Sequence, residues 1–107
     1  MTDADDLRRA ALALPGTTEA PHFDRAAFKA KRIYVTLAAD DATANFKFSP
    51  DEQALKCEVA PDAFAAVPNA WGRQGWTTAT LSALSQAELD EALTLAWRHA
   101  LPALRRR

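Results

Sequence analysis

The 107-residue chain sets thirteen basic against fourteen acidic side chains, a formal net charge of −1, which excludes a protein held on nucleic acid by bulk positive charge. Its single Cys57 excludes an intramolecular disulfide and any C-x-x-C pair, no signal-peptide pattern is present, and no apolar run reaches membrane length, so a cytoplasmic protein without membrane contact is expected. One domain over residues 1–107 fits this length, and its core must come from five Phe, three Trp, one Tyr and the Leu/Ile/Val set, because alanine supplies 25 of the residues in the 49% hydrophobic fraction.

Leu7, Ala10, Ala11 and Leu14 recur at helical spacing and predict an N-terminal helix with one apolar stripe. Asp3, Asp5 and Asp6 suit the positive end of its dipole, and Pro15-Gly16 stops it. Thr17-Thr18-Glu19-Ala20 reads as a short strand, which Pro21 places at a sheet edge. Three alternating runs follow. Ala26, Phe28 and Ala30 alternate with Ala27, Lys29 and Lys31. Ile33, Val35 and Leu37 alternate with Tyr34, Thr36 and Ala38. Ala44, Phe46 and Phe48 alternate with Thr43, Asn45 and Lys47. Strict period two predicts antiparallel strands with Phe28, Val35 and Phe46 on the core face and Lys29, Tyr34 and Lys47 on the other. Lys31-Arg32 and Asp40-Asp41 fall at the hairpin turns.

Ser49-Pro50-Asp51-Glu52 opens a short helix with a capping box and a proline at its first position, ending near Glu58. Residues 61–70 read as a loop pinned by Phe64 and Val67, and residues 76–81 as a further strand. Ser85-Gln86-Ala87-Glu88 is a second capping box. It opens a long helix with Leu89, Ala92, Leu93, Ala96, Trp97 and Ala100 on one face, which Pro102 ends before a basic tail of Arg105, Arg106 and Arg107. Grouped strands flanked by helices predict an α+β fold, an antiparallel sheet covered on one face by the first and last helices.

Trp71-Gly72-Arg73-Gln74-Gly75-Trp76 is the densest signal in the chain. Two glycines between two tryptophans predict a shaped turn leading into a strand. It reads either as a structural corner with Arg73 held in a local hydrogen-bond network, or as a recognition loop that presents Arg73.

Together with Leu12-Ala13-Leu14-Pro15-Gly16, Pro21-His22-Phe23, Ala27-Phe28-Lys29 and Phe46-Lys47-Phe48-Ser49-Pro50, this stretch resembles the MmcQ/YjbR family of small bacterial proteins, over nearly the whole chain. The family's usual glycine between its second and third strands stands here as Lys31-Arg32. The resemblance implies a CyaY/frataxin-like two-layer sandwich and a DNA-binding role through hairpins and loops in a double-wing arrangement. It brings no enzymatic activity.

His22 and His99 are the only histidines and neither is near Cys57 in sequence, so no catalytic residues are assigned and an enzyme is not expected. Asp3, Asp5, Asp6, Glu19, Asp24, Asp40 and Asp41 do not converge by spacing, and Arg8 and Arg9 offset part of their charge. No metal site and no cofactor are assigned. On the polar sheet face Lys29 and Lys47 flank Tyr34, with Lys31 and Arg32 at a hairpin tip and Arg73 in the tryptophan turn. Cations would take phosphates while Tyr34 offers a stacking face. The competing view is an ordinary solvated face whose lysines oppose aggregation. The expectation is a non-enzymatic binding protein with double-stranded DNA as partner. The alternatives are a protein-interaction or small-ligand module using the groove between the tryptophan turn and the sheet, and, third, a frataxin-type metal chaperone.

Overall fold

All three longer helices start on a reciprocal cap. In the computed structural model, which describes residues 1–101, α1 (Ala4–Leu12) opens with Asp3 and Asp6 each accepting the other's backbone N–H, at 2.9 and 3.1 Å. Ser49 with Glu52 does the same for α2 (Pro50–Val59), and Ser85 with Glu88 for α4 (Gln86–His99). Pro102 and the arginines 105–107 lie outside the described residues.

Between these helices run β1 (Thr18–His22), β2 (Arg25–Lys29), β3 (Ile33–Leu37), β4 (Thr43–Lys47), β5 (Phe64–Ala66), a single helical turn α3 (Ala70–Arg73) and β6 (Trp76–Thr80). All six strands form one antiparallel sheet in the order β1-β2-β3-β4-β6-β5. The fold is therefore α+β, with one strand more than the sequence predicts. Where a pinned loop is expected, Phe64 and Ala66 pair with Ala79 and Thr77, and the buried Phe64 ring anchors β5 to the core. Edge strand β1 is exposed along its length. Pro21 removes one N–H from it, and a forked ion pair from Arg8 to Glu19, at 3.0 and 3.1 Å, ties it to α1.

Helices α1 and α4 pack together on one face, with α4 lying across β3 and β4. The core between the layers holds Leu7, Phe28, Val35, Phe46, Leu89 and Leu93, all essentially buried. Trp97, expected with them, is only half-buried. Its indole N–H donates to the Pro15 carbonyl oxygen at 3.0 Å and so holds the turn after α1 against α4. Trp97→Ala is accordingly expected to cost about 2 kcal/mol in a urea melt, less than the roughly 3–5 kcal/mol of a fully buried ring.

One departure from the predicted alternation reorganises the sheet face. Phe28 pairs with Val35, yet the next residue, Lys29, pairs with Ile33. Tyr34 is thus an extra residue on β3, a bulge that reverses the phase of everything before it. Ile33 follows Lys29 to the uncovered face, and Tyr34 turns inward beneath α1 with 0% of its surface exposed. Its hydroxyl donates to the Ala11 carbonyl at 3.3 Å and so accepts from Thr17 Oγ1 at 2.8 Å. Tyr34 is therefore no stacking face between Lys29 and Lys47; it is a core residue.

Candidate functional site

The second face of the sheet is left uncovered by α1 and α4. Strand register places Arg25, Lys29, Ile33, Thr36, Asn45, Thr78, Trp76 and Lys47 on it. Lys29 and Lys47 do share this face. Lys31 and Arg32 sit exposed in the β2–β3 turn, whose Lys31 N–H is fixed by the Ala100 carbonyl at 3.1 Å. These four residues collect at the end of the sheet where β6 begins. Lys47 is committed there. Its Nζ donates to the carbonyls of Gln74 at 2.7 Å and Phe48 at 3.1 Å. Burial pushes its pKa down, with Glu52 opposing and the neighbouring Arg32 adding to the effect.

The tryptophan corner closes the same end. Asn69 caps α3 by accepting the Trp71 N–H at 2.9 Å. Gly72 lies so close to residue 67 that a Cβ would sit 2.8 Å from the Val67 carbonyl carbon and nearer still to its oxygen. Gly75 takes φ +108°, accepts the Phe48 N–H at 3.2 Å and presses equally hard on the Phe48 carbonyl. Gln53 Nε2 on α2 straps the corner through the carbonyls of Gly72 and Trp76, at 2.9 and 3.0 Å. The corner is structural in its glycines and open in its side chains. Trp76 is half-buried, Trp71 is 59% exposed, and the exposed Arg73 makes no hydrogen bond or ion pair among the described residues. The local hydrogen-bond network that the structural-corner alternative requires of Arg73 is absent among the described residues.

From this corner a groove of about 540 Å³ crosses the uncovered face to the tip of the β1–β2 hairpin. Trp71, Trp76, Val67, Ile33 and Phe23 supply its apolar surface. Its floor is polar. Arg25 lies flat on Thr36, with Nε donating to Oγ1 at 2.8 Å and Nη2 to the carbonyl at 3.1 Å. Asn45 Oδ1 accepts the Thr78 hydroxyl at 2.7 Å. Phe23 is the residue the sequence reading passed over. It occupies a two-residue turn at φ 59°, is 92% exposed, and touches the His22 ring edge-on at 4.8 Å. A bulky apolar residue in place of the Gly or Asn usual in such a turn was the available signal.

His99 meets Glu52 at 2.8 Å, and Cys57 packs half-buried against the core. Among the described residues no group of three or more His, Cys, Asp or Glu side chains is arranged to hold a metal ion, and no helix is long and apolar enough to cross a membrane.

An antiparallel sheet with helices on one side and a grooved, aromatic- and cation-bearing face on the other defines the structural class. The chain belongs to the YjbR family, whose family model matches residues 12–99. Among solved structures it is similar to the crystal structure of Deinococcus radiodurans protein DR2400, a DUF419 domain. The TM-score is 0.78 at 23% identity, over 91% of this chain and 77% of that one, a likeness of fold. No curated protein matches it.

Proposed function

We propose that this chain is a non-enzymatic DNA-binding protein that grips the phosphate backbone with the cations at the tryptophan end of its sheet. The observation that carries this reading is Arg73, an exposed guanidinium without an intramolecular partner among the described residues, one position past Gly72 on the same turn as a half-exposed tryptophan. Arginine held out in this way has no folding task and five donors for phosphate oxygens. Lys29, Lys31 and Arg32 are exposed at the same end and extend the patch. Lys47 adds field rather than contact, since its ammonium already serves two carbonyls. The acidic first turn of α1 lies at the opposite end, where Thr2 meets Leu81, so a net charge of −1 is compatible with a local positive surface.

Anisotropy of labelled DNA across a salt series tests this. Affinity should fall linearly on a log–log plot. Arg73→Ala should leave the melting temperature unchanged, lower affinity for every sequence alike and make the slope shallower by about one. Binding that ignores salt, or that survives Arg73→Ala and Arg32→Ala with the slope unaltered, overturns the reading.

A second reading, a small-ligand or protein-interaction module, is favoured by one observation, the apolar wall of the groove. A frataxin-type metal chaperone has no comparable ligand cluster behind it among the described residues.

A further inference from the structure

We infer that the groove on the uncovered face seats unpaired bases, so that the protein prefers single-stranded over duplex DNA; this rests on the DNA-binding reading above.

The first support is Phe23. A phenylalanine at φ 59° is strained, and one that is 92% exposed regains nothing by burial. Glycine would fold this turn better. The ring therefore has a use outside folding, and it overhangs one end of the groove. At the other end Trp71 is 59% exposed beside the half-buried Trp76. Aromatic rings standing at both ends of a depression offer faces on which planar bases stack whatever their sequence.

The second support is the polar chemistry between them. Arg25 is the only strongly basic residue of the lining and no carboxylate accompanies it, so the groove favours an anionic occupant. Thr36 takes Nε and one Nη2 donor, leaving guanidinium N–H groups for a phosphate or a base carbonyl. The Thr78 hydroxyl fixes the Asn45 amide by its oxygen, so the Asn45 N–H donors are left for a base edge. A volume of about 540 Å³ falls within the roughly 300–1,000 Å³ of small-molecule sites. Within a duplex, base faces are stacked and their pairing edges occupied, so the rings find no partner there and Asn45 is left only the groove edges. Single strands present both.

The test titrates the full chain into a short labelled oligodeoxythymidylate and into a duplex of equal length, with tryptophan quenching as a second signal. The single strand should bind at least about ten-fold more tightly. Trp71→Ala and Phe23→Gly should each lower single-strand affinity roughly ten-fold and leave duplex affinity within two-fold. Trp71→Phe, which keeps a ring, should recover most of the loss. Phe23→Gly should melt no lower than the parent, because glycine accepts the positive φ, so its loss of binding is not a loss of fold. Arg73→Ala should weaken both forms equally. Equal binding of both forms with Trp71→Ala neutral overturns this inference and leaves the DNA-binding reading standing. Failure of both forms to bind overturns the two together.

Discussion

Gly75→Ala is expected to lower the unfolding free energy by about 3 kcal/mol or more, while Gly16→Ala costs only about 1 kcal/mol. Both glycines hold positive φ, at +108° and +78°, so both variants pay for backbone strain. They differ in what surrounds them. A Cβ on Gly16 meets nothing within 4 Å. On Gly75 it would lie 2.8 Å from the Phe48 carbonyl carbon, with the oxygen closer, and backbone cannot rotate aside as a side chain does. The Gly75 carbonyl also accepts from the Phe48 N–H and from the Thr77 hydroxyl, so a shift breaks two bonds at the junction of β4, α2 and β6. Urea denaturation of the three proteins checks the comparison. Equal, small losses would mean that the corner does not approach β4 as closely as described.

The strong signals in the sequence were those with one local cause. Two capping boxes, at Ser49 and Ser85, stand where their spacing puts them, because the motif is closed within four residues. Asp3, read only as a dipole partner, also caps α1, since an aspartate at the third position answers as a glutamate does. Pro21 marked the edge strand, since a missing N–H cannot be hidden in a ladder. What stayed hidden was set by distant partners. β5 is Phe-Ala-Ala, too short and too rich in alanine to alternate, and it exists because β6 offers it an edge. The glycines of the tryptophan corner could be read as a turn, but which backbone they had to approach could not.

The site was half-legible for the same reason. Charge singles out Lys29, Lys31, Arg32, Lys47 and Arg73 as candidates, and the structure gathers the first four at one end of the sheet with the Arg73 corner beside them. Charge alone did not reveal that Lys47 spends its donors on Gln74 and Phe48. The groove was placed against the tryptophan turn, but its far wall, Phe23, was not recognised, because an exposed phenylalanine in a turn breaks every local rule at once.

Tyr34 provides the sharpest test of where folding ends and binding begins. Tyr34→Ala is expected to cost about 3–5 kcal/mol, the range for removing a buried aromatic ring, and Tyr34→Phe about 1 kcal/mol for the hydroxyl alone. The ring is fully buried, and the hydroxyl joins Thr17 to the last turn of α1, so both losses belong to the fold. Tyr34→Phe should match the parent in its affinity for single-stranded DNA and, separately, for duplex DNA. The alternation read from sequence, which turns Tyr34 outward beside Lys29, requires the opposite: stability unchanged and binding weakened. An alkaline titration gives an independent check, because Tyr34 is the only tyrosine and phenolate absorbance reports it alone. Burial raises its pKa, with the Thr17 hydrogen bond opposing. A raised folded-state pKa means the stabilisation is complete below the unfolded value of about 10 and is lost as pH rises through the folded one. The folded protein should therefore ionise at higher pH than the urea-unfolded chain and lose stability above pH about 10, a loss that Tyr34→Phe lacks for this group. A phenol that titrates at its ordinary value in the folded protein would place Tyr34 at the surface, remove the bulge, and return the stacking position between Lys29 and Lys47 to the face proposed to bind DNA.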